Sequence, residues 1–240
     1  MRKLSDTQKI LIGVAVIILL QRLFRDGAKE ALLLYACMMP GLFLSISVHE
    51  AAHAFMAYKL GDDTAKNQGR MTLNPLKHID VLGLISLFVF KIGWGKPVEY
   101  NPRSINVKDI KKAEAKIALA GPVSNFILAL ILAFPIIYLQ GIPLIERTKF
   151  LNIIYLMLTM AFTLSIGLGL FNLIPFPPLD GSKIFYKLYE GNLGRFVRQN
   201  EFVLSIAFFA LIYSGAVGSI LMPLNNLIQN SILKFSALFF

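Results

Sequence analysis

The sequence predicts an all-α polytopic membrane protein of about six transmembrane helices, with a small cytoplasmic-side β-hairpin or sheet and a re-entrant element. Three observations predict it. Of the 240 residues, 56% are hydrophobic and the mean hydropathy is +0.64, above the range of ordinary soluble domains. Several apolar stretches approach the roughly 20 residues that a helix needs to cross the hydrocarbon core. The basic residues fall mainly between those stretches, where they set orientation.

The first expected span covers 8–24. Met1-Arg2-Lys3 followed by an apolar run would suit a signal peptide, but no small-residue cleavage site precedes Arg22 and Arg25, so a retained helix is expected. Further spans are expected at 31–58, 113–139, 151–174, 202–220 and 221–240. The last carries Asn225, Asn226, Gln229 and Asn230, so it either crosses or lies at the interface. Residues 79–92 are apolar but too few to cross unaided, and Gly83 and Gly93 punctuate them, which suggests the re-entrant element. Residues 66–73 and 96–100 have strand length, with Asn74-Pro75 and Asn101-Pro102 as stops. They read either as an ordinary hairpin or as a sheet edge able to pair with an extended peptide. The whole chain, 1–240, reads as one integral membrane domain with a core at 31–190 and peripheral helices at 8–24 and 202–240.

The net charge is +10, and from Lys59 to Lys112 basic residues outnumber acidic ones. The positive-inside rule puts that connection in the cytoplasm, with 140–149 outside and 175–200 back inside, as in a multi-pass protein of the cell membrane. Arg22, Arg25 and Lys29 then sit awkwardly on the outer side. Basic residues distributed this way answer to a bilayer rather than to nucleic acid, which is not expected as a partner. The single cysteine, Cys37, excludes an intrachain disulfide and a cysteine-based zinc site, and reads as a packing residue.

The most informative stretch is His49-Glu50-Ala51-Ala52-His53, inside the second expected span. On a helix, residues four apart share a face, so both imidazoles can reach one metal ion while Glu50, one position round, meets metal-bound water. A carboxylate within a membrane helix costs about 2.5–3.5 kcal/mol on insertion scales and calls for a functional reason. The motif lies about two turns before the cytoplasmic end of its helix, roughly 10 Å below the surface. Catalytic zinc usually takes three protein ligands. Cys37 is too far back along the same helix and His78 is the only other histidine. Asp180 is better placed, since Pro175, Pro177 and Pro178 end the fourth expected span and Gly181 permits a sharp turn beside it. The alternative for Asp180 is to cap a helix starting at Ser182.

Taken together, these motifs resemble the site-2 proteases, a family of intramembrane zinc metalloproteases. The likeness runs from Val48 to Lys183. It comprises the His49 to His53 motif, Gly69-Arg70-Met71-Thr72-Leu73-Asn74-Pro75-Leu76-Lys77-His78-Ile79-Asp80, Ala120-Gly121-Pro122-Val123-Ser124-Asn125-Phe126, and Asn172 to Gly181. The resemblance implies one Zn2+ per chain held by His49, His53 and Asp180, with Glu50 as catalytic base and Asn125 near the site. It also implies that the substrates are single-span membrane proteins or remnant signal peptides, cut close to the cytoplasmic face. No connection here can house the PDZ or CBS domain that many relatives carry, so regulation would fall to other means, such as a membrane partner.

Asn125 suits a hydrogen bond to a tetrahedral oxyanion or to substrate backbone, or else interhelical contact beside Gly121 and Ser124. His78 and Asp80 read as support for the site, as substrate contacts, or as interfacial anchors of the re-entrant element. Trp94 marks an interface, and Lys183 and Lys187 read as solvated charge. The competing function is a zinc-binding membrane transporter or scaffold without proteolysis. A transporter spreads ionisable groups along several spans, whereas here they collect at one depth, and internal repeats are absent.

Overall fold

The longest apolar runs fold as long helices, which keep Pro40, Pro122 and Pro135 in their interiors. A computed structural model describes residue 13 and residues 28–90 and 93–240. Its helices are α1 (Ala28–Lys59), α2 (Thr64–Asn67), α3 (Val81–Phe90), α4 (Ile110–Gly141), α5 (Lys149–Asn172), α6 (Asp180–Ile184), α7 (Gly191–Gln199), α8 (Glu201–Tyr213) and α9 (Ala216–Ser236). Three of them are long and apolar enough to cross a membrane: α1 from Leu32, α4 and α5. Local capping sets where two of these start. Asp109 accepts the Lys112 N–H at the head of α4, and Thr148 Oγ1 accepts the Leu151 N–H at the head of α5.

The expectation of about six spans is not supported. The one expected at 8–24 lies outside the described residues apart from Gly13, which is helical. The one expected at 202–220 is split. Gly215, at φ 81°, takes the left-handed conformation that ends α8 after 13 residues, about 20 Å of helix and too short to cross alone. Only α7 and α8 together are long enough, and they meet at 84°. The last apolar stretch forms α9, which does not qualify as a span and packs along α4 and α5.

The expected hairpin is also absent: no strand occurs among the described residues, and a lone antiparallel bridge joins Ile79 to Gly95. In the first expected strand the N–H groups of Gln68, Gly69 and Arg70 bond turn carbonyls at Thr64, Lys66 and Ala65 and are lost to a ladder. Buried Asp62 accepts the N–H and hydroxyl of Thr64 with Oδ1, which starts α2, and that helix runs into the first expected strand. Its Oδ2 takes the Asn101 N–H at 2.7 Å. Pro97 has no N–H to give, and the Val98 N–H goes to Glu50. Apart from the bridge at Gly95, residues 95–100 form no regular secondary structure. Residues 79–92 do contain a short helix, α3, in keeping with a re-entrant element; Asp80 caps it by accepting the Gly83 N–H at 2.8 Å. A Cβ on Gly83 would stand 2.1 Å from the Trp94 carbonyl oxygen, so glycine lets the returning chain lie against α3.

The core sits where α1, α4 and α5 pack on one another. Leu128, Ala129, Leu132, Ala133 and Ile136 of α4 meet Ala161, Phe162, Ile166 and Leu170 of α5. Small residues bring the backbones close, as membrane helices require when apolar burial cannot drive their association. At Gly41 of α1 a Cβ would lie 2.6 Å from the Ala161 Cα. Cys37 is buried there as a free thiol. A second cluster, Ala57, Ile105, Ala113 and Ile117 with Tyr100 against it, fixes the end of α1 to the first turns of α4.

Candidate metal centre

Helical spacing brings the two imidazoles of α1 together: their rings are 4.6 Å apart between centroids and lie at 89°. Asp180 reaches them from the far side of α5. The chain leaves α5 at Asn172 and crosses the Pro175 to Pro178 run, then enters α6 at Asp180. No side chain caps α6, and Asp180 Oδ2 stands 3.1 Å from Nε2 of both His49 and His53. Ligand atoms of the three residues all lie within 4.8 Å of one another, and the histidines are buried.

Two observations test whether this set suits a metal. The His53 Nδ1 lies 2.7 Å from the Ile117 carbonyl oxygen, which can only accept, so Nδ1 carries a proton and Nε2 is the nitrogen that remains for a metal. Opposite the rings stands Gly121 of α4, where a Cβ would fall 2.5 Å from His53 Nε2 and 2.6 Å from His49 Cε1. The absence of a side chain there keeps the space in front of the donors clear. Two imidazole nitrogens and one carboxylate oxygen form a donor set suited to catalytic zinc, which keeps a further position open.

Glu50 follows His49 on α1, and its Oε2 accepts the Val98 N–H at 2.9 Å. Gly95 flanks it: a Cβ there would stand 4.0 Å from Glu50 Oε1. The segment 95–100 is pinned from behind by the Gly69 to Asp80 motif. The Arg70 guanidinium donates to the Lys96 carbonyl, and the His78 carbonyl accepts the Lys96 N–H at 2.7 Å. His78 Nε2 bonds the Thr72 carbonyl at 2.7 Å, so this buried ring braces the loop and is not among the convergent donors. Tyr100 closes the segment by donating to Glu114 at 3.1 Å. Burial, then the charge of Glu114, pushes the Tyr100 phenol well above its usual pKa, so it stays protonated as a donor. Lys183, expected as solvated charge, lies over the Tyr100 ring at 5.2 Å.

Asn125 is fully buried beside His49, its Oδ1 2.6 Å from His49 Nδ1. Its amide nitrogen is engaged at the Ser45 carbonyl and at Ser165 Oγ, which leaves neither amide hydrogen for an oxyanion. Sequence reasoning gave no role to Ser165, the Ile117 carbonyl or the Val98 N–H, and read Gly121 only as a small residue at a helix contact. Backbone groups have no letter in a sequence, but Gly121 had a signal in its place four residues before Asn125.

The family model for Peptidase family M50 matches residues 147–214, which take in α5, Asp180 and α8. The Bacillus subtilis (strain 168) protein named "Putative zinc metalloprotease YwhC" is 39% identical over 199 residues, covering 82% of this chain and 90% of that protein. The chain belongs to Peptidase family M50. Membership accords with the likeness to site-2 proteases, and with the three apolar helices it makes this peptidase a membrane protein. The Mycolicibacterium smegmatis protein named "Putative zinc metalloprotease Rip2" is 30% identical over 164 residues, 61% of this chain and 55% of that protein. "Zinc metalloprotease MJ0392" of Methanocaldococcus jannaschii is 26% identical over 157 residues, 64% of this chain and 34% of that one. The peptidase thus spans about half of the former and about a third of the latter. No solved structure matches the chain significantly.

Proposed function

We propose that this M50 peptidase is a multi-pass intramembrane zinc endopeptidase that cuts single-span membrane proteins or remnant signal peptides near the cytoplasmic face. His49, His53 and Asp180 hold one zinc ion per chain and Glu50 is the general base. The observation that carries this reading is the convergence of two Nε2 atoms and one Oδ2 from elements far apart in sequence, beside a carboxylate.

When bound, zinc supplies Lewis acidity that lowers the pKa of water toward about 7 and polarises a carbonyl. Glu50 accepts the proton of the attacking water and returns it to the leaving amine. The Val98 N–H keeps the Glu50 carboxylate aimed while it does so. Gly121 lets both imidazole rings lie close against α4. A membrane helix must be extended before its carbonyls are open to attack, and the irregular segment 96–100 runs beside Glu50, where an unwound substrate would lie. The basic connection from Lys59 to Lys112 supports a cytoplasmic location for this end of the protein.

The test is cleavage of a co-expressed single-span reporter by the native chain and by Glu50→Gln, with metal analysis of both and of His49→Ala. Cleavage by the native chain alone is expected, with zinc bound to native and Glu50→Gln proteins and absent from His49→Ala. Equal cleavage by native and Glu50→Gln chains would refute the assigned base. Zinc binding without any cleavage across a broad reporter panel would instead favour a transporter or scaffold.

A further inference from the structure

The hydrogen bonds behind His49 admit a single arrangement of protons. The Ser45 carbonyl oxygen can only accept, and the Asn125 side-chain atom 3.1 Å from it must therefore be the amide nitrogen. That fixes the amide plane, so the atom 2.6 Å from His49 Nδ1 is the amide oxygen, which also only accepts. The proton between them belongs to His49 Nδ1, so Nε2, 3.1 Å from Asp180 Oδ2, is the nitrogen that remains for a metal. Ser165 closes the arrangement from α5. Its hydroxyl donates its one proton to the Asn125 backbone carbonyl at 2.9 Å, so its oxygen is free to accept the second amide hydrogen at 3.2 Å. Asn125, Ser45 and Ser165 are fully or almost fully buried, so water does not compete for these positions.

We infer that Asn125, locked by Ser165 and the Ser45 carbonyl, is a positioning residue that sets the tautomer and ring angle of His49 as a metal ligand. A free imidazole divides between two tautomers and rotates about its side-chain bonds; here both freedoms are removed from outside the ligand set. The inference rests on the proposed zinc reading of the site and assigns α5 a part in it, although α5 supplies no ligand itself. It also assigns Asn125 away from the substrate, because all its polar atoms are engaged within the protein.

The experiment uses the full chain in lipid nanodiscs. Zinc affinity is measured by competition with a chromophoric chelator, and the electronic spectrum of the Co2+-loaded protein reports ligand geometry, for the native chain, Asn125→Leu and Ser165→Ala. Loss of such an outer partner typically weakens metal binding about 10- to 100-fold, which is expected for Asn125→Leu. A smaller loss is expected for Ser165→Ala, and the Co2+ bands should move in both. Melting of the metal-free proteins separates misfolding from a changed ligand. If Asn125→Leu does not fold, Ser165→Ala decides: native-like zinc affinity and an unmoved Co2+ spectrum in that variant overturn the inference. The same result in a folded Asn125→Leu overturns it as well. A native chain that binds no zinc would overturn the zinc reading itself, a failure distinct from equal affinities across the three proteins.

Discussion

The carboxylate of Glu50 and the backbone N–H of Val98 are joined by a 2.9 Å hydrogen bond, so the proposed base is aimed by a loop and not by its own helix. That loop is positioned in turn by Arg70, whose guanidinium reaches the Lys96 carbonyl two residues earlier. A motif some twenty residues past the histidines on the chain thereby acts on the reacting carboxylate.

Replacing Arg70 with methionine should expose the consequence. The bond that it removes is charge-assisted, worth about 1.5–3 kcal/mol. Reporter cleavage is expected to fall by about tenfold or more, given that a displacement of about an ångström can cost a hundredfold, while zinc content stays unchanged. Native cleavage by a less stable Arg70→Met protein would show that the loop needs no such brace.

Gly121→Ala tests the clearance in front of the ligands. The added methyl would stand 2.5 Å from His53 Nε2 on a rigid helix backbone, closer than any real contact, so a ring must turn out of the site. Zinc is expected to be lost while helix content is kept. Zinc at native occupancy in the purified variant would contradict this.

Gly181→Ala acts on the proposed third ligand. A Cβ there meets the Ile174 carbonyl oxygen at 2.2 Å, so the turn that presents Asp180 must shift. Zinc affinity should drop about tenfold or more, toward that of Asp180→Ala, because losing one of three ligands opens the site. Chelator competition measures both variants side by side.

Metal removal should be visible in stability. A ligand that binds only the folded state at a hundredfold over its dissociation constant adds about 2.7 kcal/mol. Adding zinc to the stripped native protein should raise its melting temperature and restore cleavage. In Asp180→Ala the zinc-dependent rise should shrink to near nothing. An equal rise in both proteins would place the ion elsewhere.

The parts legible in the sequence were those written by side-chain spacing. His49 and His53 share a face by helical period, and long apolar runs became α1, α4 and α5. The proline run before Asp180 indeed leads the chain out of α5. The sequence offered close approach less clearly. Gly181 read as a turn residue, yet it is needed because the Ile174 carbonyl lies against it. At 66–73 strand propensity lost to the local turn that Asp62 starts by accepting the Thr64 N–H, and at 96–100 the Val98 N–H is taken by Glu50, a partner 48 residues away that no local pattern announces. Asn125 was marked as important, but its employment depended on Ser165, forty residues away.

The donors that meet at Asp180 come from opposite ends of a long loop of chain that includes both α4 and α5. An ion held there is a clasp as well as a reagent. It ties the last turns of α1 to the start of α6 and removes from the unfolded chain the freedom of everything in between. Assembly of the catalytic apparatus and closure of the helix bundle would then be one event, and a molecule that has lost its clasp would lose both together.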